Sequence, residues 1–183
     1  LGAGNCEKGS ALFNSLMPKE YRALDISKEF LEQAISGLQK EFPHIQMQAQ
    51  ACDLQDELVF TDLVGRKKTF FYPGSSIGNF DPAAALGLFK NIVKVCEGDG
   101  GLLIGVDLVK DHEVLSRAYN DALGITAAFN KNILLHLNHL VKTNFNLEHW
   151  EHYAIFNEQL ARIEMYLRST QHQVVSWPGG EKL

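Results

Sequence analysis

The stretch Phe70-Phe71-Tyr72-Pro73-Gly74-Ser75-Ser76-Ile77-Gly78-Asn79-Phe80-Asp81-Pro82 constrains the fold of this chain more than any other. An apolar run of β-type residues halts at a Pro-Gly turn. Small hydroxyl residues, a glycine and an asparagine follow, and Asp81-Pro82 then opens a helix with a side-chain cap and a proline at its first position. A parallel α/β sheet brings polar groups to the carboxyl ends of its strands in this way, and ligands bind at that edge.

The rest of the first 108 residues keeps the same rhythm. A helix is expected over about Glu7 to Leu16, and a short buried strand over Tyr21-Arg22-Ala23-Leu24-Asp25. A helix capped by Ser27 follows, with its apolar stripe at Phe30, Leu31, Ala34, Ile35, Leu38 and Phe42. Further strands are expected over Ile45 to Ala51, Thr69 to Tyr72 and Leu102 to Val106. The helix between the last two should bury Leu86, Phe89, Ile92, Val93 and Cys96. Strands as apolar as Leu102-Leu103-Ile104-Gly105-Val106 suit a parallel sheet covered on both faces.

After Asp107 the pattern changes. Val114, Leu115, Ala118, Ala122 and Leu123 mark one helix, and Ile125, Phe129, Ile133, Leu137 and Leu140 a second. From about Glu151 the period is two: Ile163, Met165 and Leu167 share one face of a strand, and Val174, Val175 and Trp177 read as its antiparallel partner. The fold class expected is α/β, a Rossmann-like doubly wound sheet with a smaller α+β subdomain. The division expected is a cofactor-binding domain over residues 1–109 and a substrate-binding subdomain over 110–183.

Composition narrows the function classes. A chain of 183 residues with net charge −5 lacks the basic surface of a nucleic-acid binder. No apolar run reaches the length of a membrane span. Cys6, Cys52 and Cys96 are widely spaced and fit no metal-ligand pattern, so they read as reduced thiols of a cytoplasmic protein. His136-x-x-His139 and His149-x-x-His152 each resemble half of a metal site. No suitably spaced carboxylate or cysteine completes either, so no metal is expected. The chain opens inside a motif, at Leu1-Gly2, and reads as an excised fragment.

Gly2-x-Gly4 stands where a strand should hand over to a helix, and glycine lets backbone approach a ligand closely. Asp25 lies 21 positions beyond Gly4, at the end of the next strand, where an acid binds ribose hydroxyls. The third glycine of a dinucleotide fingerprint is replaced by Glu7, which would repel a pyrophosphate. The loop therefore suits a nucleoside cofactor without a diphosphate, such as S-adenosylmethionine, and opposes a dinucleotide-dependent oxidoreductase. Asp53, after the third strand, either accepts from an adenine amino group or is a plain turn acid. Asn79 either donates to a carboxylate and accepts from an amine, or is a turn residue.

Leu1-Gly2-Ala3-Gly4-Asn5-Cys6-Glu7-Lys8, the Phe71 to Phe80 segment, Gly105-Val106-Asp107-Leu108-Val109-Lys110 and Arg162-Ile163-Glu164-Met165-Tyr166-Leu167-Arg168-Ser169 together resemble the histidine-specific, S-adenosylmethionine-dependent methyltransferases. These are the L-histidine Nα-methyltransferases of ergothioneine biosynthesis, which trimethylate histidine to hercynine. The resemblance spans essentially the whole chain. It implies that Gly2 and Lys8 line the methionine end of the cofactor beside the Gly4 turn, with Lys8 meeting its carboxylate, that Asp25 holds the ribose, and that Asp53 and Leu54 contact adenine. It implies further that Gly74 faces the cofactor and the substrate amine, that Asn79 and Tyr119 bind the histidine carboxylate, and that Met165 packs in the substrate pocket. Sequence alone reads Tyr119 and Met165 as packing residues; their ligand roles come only from the resemblance.

The resemblance also implies an N-terminal segment, a first strand before Leu1, and a Glu and Ser pair that contacts the imidazole. That pair would follow about where Gly179 to Leu183 stand. The competing readings are an Nα-methyltransferase of another amino acid, such as a prenylated tryptophan, and a noncatalytic nucleoside-binding relic.

Overall fold

Apolar strands alternating with capped helices in the first 107 residues fold into two parallel strand pairs backed by helices. The computed structural model describes residues 1–178 and falls into two units, Leu1–Asp107 and Leu108–Leu183. Residues 179–183, near which the imidazole-contacting segment was expected to begin, lie outside the described residues.

In the first unit β1 (Glu20–Asp25) pairs in parallel with β2 (Gln46–Ala51), joined by α3 (Lys28–Glu41). β3 (Lys68–Tyr72) pairs in parallel with β4 (Gly100–Ile104), joined by α4 (Pro82–Cys96). The class is mixed α/β. The parallel strands form two separate two-stranded ladders rather than one continuous sheet. Leu1–Ala3 touches both ladders: the Leu1 nitrogen donates to the Phe71 carbonyl at 2.7 Å, and the Ala3 amide donates to the Leu24 carbonyl at 3.0 Å.

Local chemistry sets the element ends. Asp81 caps α4 by accepting from the Ala84 amide at 2.8 Å, with Pro82 just behind it. At the start of β4 only glycine fits at position 100, because a Cβ there would lie 2.5 Å from the Lys68 carbonyl oxygen and 2.7 Å from Cys96 Sγ. Ser27 precedes α3 as expected but contributes its carbonyl, not its hydroxyl, to the first turn.

One core cluster joins Leu24, Leu54, Leu58, Phe60, Phe70, Tyr72, Leu88, Ile92 and Cys96. A second joins Cys6, Ala23 and Leu31, the last 0% exposed.

Several expectations are corrected. The first helix breaks into α1 (Glu7–Ser10) and α2 (Phe13–Leu16), which turns Phe13 inward against the Tyr21 and Phe42 rings at 4.9 and 5.1 Å. α4 buries Leu88, Ile92 and Cys96 while Leu86 and Val93 are exposed. Apolar residues lie on more than one side of this helix, so the sequence permits two stripes, and contact with the sheet selects one. β4 ends at Ile104, and Leu103 is 54% exposed, so the strand is covered on one face only.

In the second unit α5 (His112–Tyr119) and α6 (Ile125–Leu140) pack on an antiparallel hairpin of β5 (Trp150–Asn157) and β6 (Arg162–Ser169). α5 stops at Tyr119, short of the expected Ala122 and Leu123. Asp121 ends it in effect, because its carboxylate accepts from the Ile125 and Thr126 amides at 2.8 and 2.7 Å and starts α6. The partner of β6 is β5, not the Val174–Trp177 segment. That segment packs instead, with Val175 buried, the Ser176 amide on Asn144 Oδ1 at 2.7 Å, and Trp177 against Phe145. The eight residues from Trp150 to Asn157 match β6 rung for rung, which the four residues Val174–Trp177 cannot do. Among the described residues no helix is long and apolar enough to cross a membrane.

Candidate cofactor and substrate site

The chain-opening glycine turn and the acid that closes β1 meet directly. The Gly4 amide donates to Asp25 Oδ2 at 2.9 Å, across 21 positions of sequence. The Ile26 amide donates to Asp25 Oδ1 at 2.8 Å. Each carboxylate oxygen has a second lone pair, so the acid still has acceptor capacity after fixing the turn. Gly2 and Gly4 both have positive φ, 57° and 52°. A Cβ on Gly2 would sit 3.4 Å from the ring of Tyr72, so this turn lies against the end of β3.

β2 brings the next acid to the same edge. Asp25 and Ala51 are register partners, and the Cys52 amide donates to the Asp25 carbonyl at 3.0 Å. Asp53 follows at once. Its Oδ1 accepts from the Gln55 amide at 2.9 Å, so it does form the turn that was one of its two readings. Leu54 is buried in the larger core cluster.

At the end of β3 the Pro73-Gly74 turn carries the most telling contact. Gly74 has φ 80°, and a Cβ there would lie 2.7 Å from Lys8 Nζ. The ammonium of α1 thus occupies the space that a side chain at position 74 would need. Ser75 holds the turn from the other side with its own positive φ of 59°. Its amide donates to the Gly105 carbonyl at 3.1 Å, and its Oγ accepts from the Asp107 amide at 2.8 Å. A Cβ on Gly105 would lie 3.3 Å from the Gly74 nitrogen. Asn79 closes the single 3₁₀ turn Ser76–Asn79 and is exposed.

Gly2, Gly4, Asp25, Asp53 and Gly74 therefore stand at the carboxyl ends of parallel strands or on the turns packed there, and Lys8 reaches the same edge from α1. The sequence reading did not single out Gly105 or Tyr72 as part of this edge. An isolated glycine in an apolar strand signals a close backbone approach, and Gly105 carries that signal. Tyr72 reads as an ordinary strand residue, and nothing in the sequence marks the ring beneath Gly2.

In the second unit Tyr119 is the last residue of α5, and Met165, 40% exposed, pairs with Ala154 on the hairpin. Met165 lies at the surface, not in the core. A depression of about 390 Å³ in this unit is lined by Asp121, Lys131, Trp150, Glu151 and His152 among others, and neither Tyr119 nor Met165 lines it. His149 and His152, read as half of a metal pattern, have other partners: Asn146 for His149, Asn130 and Tyr119 for His152.

A glycine turn that meets an acid at the carboxyl end of the next strand is the arrangement at which α/β domains bind nucleosides. The family profile of the histidine-specific, S-adenosylmethionine-dependent methyltransferases matches residues 1–183, and the chain belongs to that family. It is 36% identical over 179 residues to the histidine N-alpha-methyltransferase of Mycolicibacterium smegmatis, covering 96% of this chain and 56% of that protein. It is 32% identical to the enzyme of the same name from Mycobacterium tuberculosis, with the same coverage. It is also 29% identical to ergothioneine biosynthesis protein 1 of Neurospora crassa, of which it covers 21%. The chain thus spans about half the length of the bacterial relatives it matches.

Proposed function

We propose that the protein is an S-adenosylmethionine-dependent Nα-methyltransferase that trimethylates L-histidine to hercynine in a cytoplasmic step of ergothioneine biosynthesis. The observation that carries this reading is the joint placement of the Gly4–Asp25 clamp and of Lys8 Nζ over Gly74. One contact suits a ribose and the other an amino-acid carboxylate. The family match and the names of the relatives support the same substrate.

The residues fit the cofactor by their donor set. Asp25 retains acceptor capacity for ribose hydroxyls, Asp53 stands beside it for the adenine amino group with Leu54 behind, and Gly2 leaves open the space a side chain would fill. Lys8 offers a cation to the methionine carboxylate. When bound, the cofactor supplies an electrophilic methyl group on a positively charged sulfur.

The protein's own task is then positioning. The histidine amine must arrive with a free lone pair, so it must be bound deprotonated. Asn79 and Tyr119 hold the substrate carboxylate, Met165 packs against the side chain, and the backbone at Gly74 accepts from the amine to aim it. Residues 1–109 are the cofactor-binding domain in this reading, and residues 110–183 belong to the substrate-binding part.

The finer architecture we propose is one doubly wound, Rossmann-like sheet that includes both parallel pairs. The hydrogen bonds from Leu1 to Phe71 and from Ala3 to Leu24 support it, since Leu1–Ala3 runs between β1 and β3.

The test uses the full-length protein. Calorimetry should show binding of S-adenosylhomocysteine and none of NAD. Mass spectrometry should show histidine converted to a trimethylated product. Binding without turnover of any amino acid would leave a nucleoside-binding relic, and turnover of a different amino acid would transfer the reading to that substrate.

A further inference from the structure

The second unit contains a hydrogen-bond chain that the methyl-transfer reading leaves unused. α5 ends at Tyr119, and the last carbonyls of a helix have no partner within it. His152, half-buried on β5, supplies one: its Nε2 lies 2.7 Å from the Tyr119 carbonyl oxygen. Its Nδ1 lies 3.0 Å from Nδ2 of Asn130 on α6, and the same Nδ2 lies 3.0 Å from the Tyr166 carbonyl on β6.

One proton arrangement satisfies all of these contacts. A carbonyl only accepts, so Nε2 carries the ring hydrogen and donates it to Tyr119. Asn130 Nδ2 has two hydrogens and gives one to the Tyr166 carbonyl and the other to the lone pair on Nδ1. The tautomer follows from the network. Four elements, α5, α6, β5 and β6, are tied together through His152 and Asn130 and the carbonyls of two tyrosines, Tyr119 and Tyr166.

That tie matters because α5 has little else to fix its end. The helix has eight residues and buries only Leu115. A helix so short is marginal without tertiary contacts. Asn120 Nδ2 gives a longer second contact to the Ala154 carbonyl, at 3.4 Å, and His112 meets Phe156 edge to face at the far end of the helix.

We propose that His152, oriented by Asn130, is a positioning residue that holds Tyr119 for the substrate carboxylate. It does not touch substrate. The proposal rests on the role assigned to Tyr119 above.

The experiment compares His152→Leu, His152→Gln, Asn130→Ala and Tyr119→Phe in the full-length enzyme. Gln keeps an N–H donor near the place of Nε2, whereas Leu removes it. Tyr119→Phe should raise the histidine KM about tenfold, and His152→Leu should match it with S-adenosylhomocysteine affinity within about twofold. His152→Gln should recover most of the loss, and Asn130→Ala should fall between them. Adding His152→Leu to Tyr119→Phe should cost nothing more, because both act through one group.

A normal histidine KM in His152→Leu, in an enzyme where Tyr119→Phe does raise it, overturns the positioning role and leaves the role of Tyr119 standing. A normal KM in Tyr119→Phe overturns that role, and the proposal with it. Nitrogen-15 spectra of the His152 ring give a readout independent of how the Leu variant folds. They should show protonated Nε2 and bare Nδ1, and the opposite tautomer would overturn the network.

Discussion

Gly74 shows how one residue's missing side chain can serve two purposes. Its φ of 80° is in the left-handed region, which costs another residue about 1 kcal/mol or more. The volume of its absent Cβ is taken by Lys8 Nζ. Gly74→Ala should therefore strain the turn and push the ammonium away together, lowering kcat/KM at least about tenfold. Steady-state kinetics check this, and a wild-type value would remove Gly74 from the site. Asn79, exposed on the turn that follows, has a different signature. Asn79→Ala should raise the histidine KM about tenfold or more while the affinity for S-adenosylhomocysteine stays within about twofold. Equal losses in both would mean that Asn79 shapes the turn and does not hold substrate. Both residues were legible in the sequence as members of a polar turn after an apolar strand. The lysine over Gly74 was not, because that contact joins α1 to the end of β3 across most of the unit's sequence.

At the scale of elements, helix starts govern how the second unit answers acid. The Asp121 carboxyl is held down to about 2, from a usual 3.8, chiefly by the Thr126 amide and hydroxyl and then by the Ile125 amide. A carboxyl that ionises more readily in the folded state stabilises that state above its unfolded pKa and loses the effect as pH falls through its folded pKa. The contribution of Asp121 is thus complete above about pH 4 and lost toward about pH 2. Acid unfolding followed by circular dichroism should show a shallower loss of stability over that window for Asp121→Asn than for the native chain. Identical acid limbs would reject the assignment. In the first unit, Asp81→Ala removes the side-chain cap of α4 and should cost about 1 kcal/mol in denaturant unfolding. The Asp81 cap could be read from Asp-Pro alone. The reach of Asp121 to α6 could not, since the pattern there ran α5 on through Leu123.

For the whole molecule, burial decides which of many apolar residues carry the fold. Leu31 is 0% exposed and lies with Cys6 and Ala23 in the cluster between α3 and the β1–β2 pair. Leu31→Ala should cost about 2 to 5 kcal/mol, within the range for buried leucines. Val93→Ala, on the exposed side of α4, should cost far less. Chemical denaturation of the two variants side by side makes the comparison, and similar losses would overturn the assigned core. Ligand binding acts on the same scale. At a hundredfold excess over its Kd, S-adenosylhomocysteine should stabilise the native protein by about 2.7 kcal/mol, and NAD by nothing measurable. Thermal melts of the full-length protein read this directly.

The sequence by itself determined the alternation of strands and helices, the capped start of α4, the glycine turn with its spaced acid, and the family. Each of these is written in near neighbours or in a fixed spacing, so local sterics and hydrogen bonding suffice to express it. Only the tertiary structure decided which stripe of α4 faces the sheet, that β5 and not Val174–Trp177 pairs with β6, that Lys8 occupies the space above Gly74, and that His152 grips the end of α5. Those outcomes depend on which surfaces meet when distant segments pack, and an apolar residue or a histidine carries no mark of its partner until the chain has folded.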